Sequence, residues 1–135
     1  MAFFVPTITA SKTDNEFGPG VYTTSSLQHA LKYVTRQGAL MVFQNADFQH
    51  IKLWEPSEDD WRVIIRSWSG LPPSDAAIRV PEQWKNADII KGPISCAGGI
   101  PEPARVPGPD AQVVGVSYAG CAALAASLKM IIWFE

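Results

Sequence analysis

An α+β domain is the class this sequence predicts, on three observations. Short apolar or alternating runs outnumber helix-spaced runs, the helix-spaced runs fall between them, and no internal repeat or linker divides the 135 residues. A chain of this length suits one domain, 1–135, and buries about two-thirds of the surface it exposes when unfolded. Hydrophobic residues at 47% against charged residues at 18% describe a globular chain rather than a disordered one. Its five tryptophans are expected mainly in the core.

Residues 2–10 alternate loosely as an extended arm or edge strand, and Pro6 argues against a central place in a sheet. Val21 to Thr24 reads as a short strand, and Ser25 to Thr35 as a helix capped by Ser25 or Ser26. Leu27, Ala30, Leu31 and Val34 share its apolar face. Ala39–Phe43 is a buried strand by its unbroken apolar run, and His50–Trp54 alternates like a strand with one wet face. Pro56, Ser57 and the acids Glu58, Asp59 and Asp60 start a second helix, whose Trp61, Ile64, Ile65 and Trp68 face the sheet before Gly70.

The prolines at 72, 73 and 81 make a loop with one helical turn near Glu82 to Trp84. Asp88–Ile94 resumes as a strand that breaks at Gly92-Pro93. Residues 95–110, Pro/Gly-rich and without periodicity, form the longest irregular segment, of the kind that is more often functional or mobile than idle. Gln112–Ser117 is a strand, Ala119–Leu128 a small-residue helix, and Lys129–Phe134 a last strand.

The net charge of −2 is spread without a basic stripe, so nucleic acid is not an expected partner. No apolar run is long enough to cross a bilayer and no leader pattern opens the chain, which points to a cytoplasmic protein with no membrane partner. The two cysteines, Cys96 and Cys121, make neither a disulfide framework nor a metal set and read as buried thiols. His29 and His50 lack metal-ligand spacing, and Ser25 and Ser26 lack a neighbouring base. Asp88 reads equally as a strand-start cap or as a group facing a cleft.

The run Asn15-Glu16-Phe17-Gly18-Pro19-Gly20-Val21-Tyr22-Thr23-Thr24 is the centre of the functional reading. Two glycines around a proline give a turn that a ligand can approach closely, and a tyrosine and two hydroxyls beside a helix N-terminus suit a phosphate-bearing ligand. Tyr22 reads from its own residues as a core tyrosine or as a ligand-facing one. This run, with Ala30 and Tyr33 in the helix after it, resembles the middle motif of the ADP-ribosyltransferase-like fold, above all in small microbial and fungal domains. Asp88-Ile-Ile-Lys-Gly-Pro-Ile94 is similar to a second run of those domains, and Gln112 falls where their third motif begins. The resemblance spans roughly residues 14–133.

It implies two small mixed or antiparallel sheets with flanking helices around a cleft for NAD, the substrate whose nicotinamide–ribose bond is broken. It also implies catalytic roles for Tyr22, which stacks on the nicotinamide, and Gln112, with Gly18, Gly20, Tyr22, Thr23 and Thr24 binding the nucleotide. Two departures stand out. Gln112 replaces the usual glutamate, and an amide hydrogen-bonds a ribose hydroxyl without accepting its proton. The family's first-motif histidine or arginine has no counterpart, since Lys12 is the sole side-chain cation before Asn15. Arg36, Arg62, Arg66 and Arg105 are conceivable stand-ins. The resemblance therefore implies an NAD glycohydrolase or ADP-ribosyl transferase. The alternative is an inactive module of the same fold, self-associating as a homo-oligomer or binding proteins, or a cleft turned to another small molecule.

Overall fold

The structure, a computed structural model, describes residues 2–4, 15–34, 38–69, 79–96 and 103–134. Along them run β1 (Ala2–Phe4), β2 (Val21–Thr24), α1 (Leu27–Leu31), β3 (Ala39–Phe43), β4 (Leu53–Trp54), α2 (Glu58–Ser69), α3 (Glu82–Asn86), β5 (Ile89–Pro93), β6 (Ala111–Gly115), α4 (Tyr118–Ala126) and β7 (Leu128–Trp133). The class is α+β, as the sequence predicts. The strands hydrogen-bond in the order β4-β5-β6-β2-β1-β3-β7, with β4 parallel to β5 and every other pair antiparallel. The halves β4-β5-β6-β2 and β1-β3-β7 are run together at a seam of two residue pairs, Phe3 with Thr24 and Phe4 with Thr23.

Cross-strand register decides which side chains share a face. Tyr22, Val114 and Ile90 are mutual partners, as are Thr24, Gln112 and Gly92 two residues on, so all six lie on one side of the sheet. Against that side packs α2, whose Trp61, Ile64 and Ile65 join Phe17, Ala87, Ile90 and Val114 in one buried cluster. The helix starts as the acids predict: the Ser57 hydroxyl accepts the Asp60 N–H at 3.2 Å and donates to the Asp60 carboxylate at 2.9 Å. On the opposite side α4 lies close over the start of β5, where a Cβ at Gly120 would fall on the Asp88 carbonyl.

Asp88 is a structural clamp rather than a group facing a cleft. Its carboxylate accepts the Lys52 N–H at 3.0 Å and the Ser117 hydroxyl at 2.5 Å, while Ser117 caps α4 by accepting the Gly120 N–H. The Ser117 hydroxyl, then the Lys52 N–H, hold this carboxyl below its ordinary range.

Several expectations need correction. β1, described as Ala2–Phe4, is central, between β2 and β3; Pro6 lies with residues 5–14 outside the described residues. The α1 helix is shorter than predicted, since Lys32, Tyr33 and Val34 turn back with i to i−3 bonds. Its cap is Ser26, which accepts the His29 N–H, and of its expected apolar face Ala30 is buried while Leu27 and Leu31 are exposed. The expected strand at 50–54 reduces to β4 because the Ile51 and Leu53 N–H groups close turns onto Phe48 and Ile51. β5 continues through Gly92 and Pro93, which pair with Gln112 and Ala111.

Candidate functional site

The turn before β2 is held from within. Phe17 and Gly18 enter it with the Gly18 N–H on the Asn15 carbonyl at 2.9 Å. Gly18 has φ +91°, and a Cβ there would stand 2.9 Å from carbons of both Trp68 and Trp84, so backbone conformation and space both demand glycine. Gly20 presses on β6, where a Cβ would meet the Gly115 carbonyl oxygen at 2.7 Å. The Trp84 indole N–H reaches the Phe17 carbonyl at 2.8 Å. The two glycines that suggest a ligand cradle are thus filled by indole rings on one side and by a strand on the other.

Tyr22 packs against the core cluster, and its hydroxyl accepts the Phe17 N–H at 2.9 Å and donates to the Gly18 carbonyl at 2.5 Å. Burial pushes its phenol far above the ordinary value of 10.0; the Phe17 bond opposes this and the Glu16 charge adds to it. Thr23 and Thr24 are buried, and their hydroxyls donate to the β6 carbonyls of Val113 at 2.7 Å and Ala111 at 3.3 Å. Thr24 also accepts the Ser26 N–H at 3.1 Å. Every side-chain hydroxyl of this stretch is used in joining the turn, β2 and β6 to one another.

Gln112 is buried at the start of β6 in a polar cluster. Its amide donates to the Glu16 carboxylate at 2.7 Å and to the Pro93 carbonyl at 3.1 Å. The other donors to Glu16 are the Ser95 N–H at 3.3 Å and the Ser95 hydroxyl. The sequence reading missed Glu16 and Ser95 as a unit with Gln112, because 79 and 96 residues separate the partners and only strand pairing brings them together. The Glu16 charge is felt at His29, the one histidine near this cluster among the described residues. Burial, then Lys32, lowers the His29 pKa from 6.5, and Glu16 and Asp110 oppose that shift.

Of the cations expected as stand-ins, Arg105 lies beside this cluster, since its backbone bridges Ser95. Arg62 pairs with Glu58 at 3.2 Å, and Arg105 pairs with the same carboxylate while its guanidinium sits 5.8 Å over the Trp61 ring. Arg66 lies on α2, and Arg36 falls outside the described residues. The 95–110 segment is pinned at its base by Cys96 N–H to Ala104 and Val106 N–H to Ile94, both 2.8 Å; residues 97–102 lie outside the described residues. Cys96, expected to be buried, is exposed on that base with its thiol on the Arg105 carbonyl at 3.3 Å, whereas Cys121 is half-buried. Among the described residues no three His, Cys, Asp or Glu gather as a metal set, and no helix is long and apolar enough to cross a membrane.

A second candidate is β7, the end of the strand order. Its inner side pairs with β3 from Ala39–Trp133 to Phe43–Leu128, and among the described residues its outer side has no strand. All six of its residues are exposed, Met130 at 53% and Trp133 at 72%. Met130 and Ile132 project on one face, Ile131 and Trp133 on the other. Lys129, beside the register shift at Val42/Phe43, is its only charge.

Comparison with protein-family models, with curated proteins and with solved structures finds no match.

Proposed function

We propose that this chain is an interaction domain that takes up an extended segment of another polypeptide on the free edge of β7. One observation carries the reading: among the described residues no strand pairs with the outer side of the six-residue β7, whose apolar side chains are exposed. Such an edge is a template for strand addition, in which the main chain supplies affinity and alternate side chains supply selectivity. Natural edges are commonly blunted by charge, proline or cover, and β7 carries one lysine.

The test uses Trp133, the one tryptophan exposed among the large hydrophobics; the other four are buried or half-buried. An extended peptide of alternating valine and threonine is titrated in while tryptophan emission is followed. Wild type should show a saturable blue shift as Trp133 is covered, and Ile131→Pro, which keeps Trp133 but removes an outward N–H, should not. A flat wild-type titration removes the reading.

A second reading follows the resemblance: an ADP-ribosyltransferase-like domain that binds NAD beside β2 and β6, where water displaces nicotinamide from the ribose carbon. The specific support is Glu16, 2.7 Å from Gln112, since a carboxylate at that place supplies the acceptor that an amide lacks. Calorimetry with millimolar NAD and a nicotinamide-release assay test it. Cleavage lost in Glu16→Gln with NAD binding retained supports it, and two blank results with wild type end it.

A further inference from the structure

We infer that Ser95 is a nucleophile, with Glu16 as its general base and Gln112 orienting that base, in a site that moves the acyl group of esters of phenols and other acidic alcohols to water. This depends neither on the β7 edge nor on a nucleotide. A serine acts as a nucleophile when a base lies within hydrogen-bond reach of its hydroxyl and a third group holds that base. The sequence offers no such neighbour to Ser25 or Ser26, but the fold offers one to Ser95. Its hydroxyl donates to Glu16 Oε1, and the Gln112 amide donates to Glu16 Oε2 at 2.7 Å.

Separate parts of the fold hold the three groups. Gln112 is 7% exposed, and its amide also donates to the Pro93 carbonyl at 3.1 Å, which fixes the amide plane. Glu16 is followed by Phe17, whose N–H is bound by the Tyr22 hydroxyl and whose carbonyl is bound by the Trp84 indole, so the main chain is fixed beside the carboxylate. Ser95 faces Arg105 in an antiparallel bridge framed by the Cys96 N–H on the Ala104 carbonyl and the Val106 N–H on the Ile94 carbonyl. That is the non-hydrogen-bonded kind of pair, in which facing side chains lie closest, so Arg105 projects from the same face as the Ser95 hydroxyl. A base held at both oxygens needs no reorientation when the reaction starts.

The Ser95 proton passes to Glu16 Oε1 as Oγ bonds to the ester carbonyl carbon; the bond from that carbon to the phenol oxygen breaks, and Glu16 returns the proton to the departing oxygen. A water then gives a proton to Glu16 and its oxygen to the acyl carbon, the bond from Oγ to that carbon breaks, and Ser95 takes the proton back. Acid and phenol are the products. The carbonyl oxygen turns negative in both steps and needs donors. The Ser95 N–H meets Glu16 at 3.3 Å, longer than an ordinary N–H···O bond, and is the donor on the nucleophile's own residue. Arg105 adds N–H donors beyond the one paired with Glu58. The substrate class follows from the base: one carboxyl gives little help to a strongly basic amine, whereas a phenolate departs with little protonation, so esters are favoured over amides.

Two probes test this on the whole chain, with circular dichroism as a check of folding: a fluorophosphonate, whose adduct is located by mass spectrometry, and p-nitrophenyl acetate, whose phenol release is followed by absorbance. Wild type should carry one adduct, on Ser95, and release p-nitrophenol faster than buffer does. Ser95→Ala should lose both. Glu16→Gln, which keeps the size of the side chain and removes the base, should slow adduct formation by about a hundredfold. Gln112→Met should lower kcat for p-nitrophenyl acetate without raising KM, a split that loss of fold alone does not give. Folded wild type that takes up no fluorophosphonate overturns the site. An adduct on another residue overturns Ser95 as the nucleophile, and labelling of Glu16→Gln at the wild-type rate overturns Glu16 as the base.

Discussion

Gly18 shows most directly how one position is fixed. A side chain there must adopt φ +91° and also stand 2.9 Å from two tryptophan carbons. Gly18→Ala should therefore cost about 2–4 kcal/mol from backbone strain and overpacking together, read as a lowered urea midpoint at unchanged slope. Tyr22→Phe leaves the Phe17 N–H and the Gly18 carbonyl without their partner and should cost about 1–3 kcal/mol by the same measurement. Two titrations separate these residues from the rest. Burial raises the Tyr22 pKa above 10.0, so its contribution is complete below pH 10 and is lost as pH rises beyond it; Tyr22→Phe should flatten the alkaline limb of stability. Asp88 is lowered from 3.8, so its contribution is present above that pH and is lost on acidification, and Asp88→Asn should flatten the acid limb.

For the elements, the decisive contrast lies within β7. Ile131 directs its N–H outward and Ile132 directs its N–H to β3, so proline at the two neighbouring positions has opposite consequences. Ile131→Pro should keep the fold and lose peptide uptake. Ile132→Pro should break the β3–β7 ladder, and its thermal midpoint should fall by several degrees as about 1–3 kcal/mol is lost. The same reasoning explains which elements were readable. The α2 helix was legible because Ser57, three acids and an apolar stripe act within twelve residues, where local capping and periodicity decide the outcome. β4 and α1 were overestimated because the turn bonds at Phe48–Leu53 and Lys32–Val34 leave no composition signal. The candidate site was half legible. Gln112 was singled out from the resemblance as a catalytic residue; its burial and its carboxylate partner, which comes from a turn across the sheet, left no mark in the local sequence.

At the scale of the molecule, the strand order of the described residues leaves β4 and β7 as its two ends, and they differ. β4 offers two residues, whereas β7 offers six that are exposed and chiefly apolar. Strand uptake on β7 predicts a stability that depends on partner concentration, since a partner that binds only the folded state raises the midpoint by mass action. The thermal midpoint of wild type should rise with added peptide, and that of Ile131→Pro should not. The sequence alone determined the class, the strand at 39–43, the helix after Ser57 and the lack of a basic stripe, because composition, periodicity and caps are local properties. Only the tertiary structure decided that Gly18 faces two indoles, that Tyr22 ties down its own turn, that Glu16 joins Gln112 and that, among the described residues, β7 ends the sheet. Each of these depends on which distant segments lie side by side, and a one-dimensional pattern does not encode pairing between strands far apart in the chain.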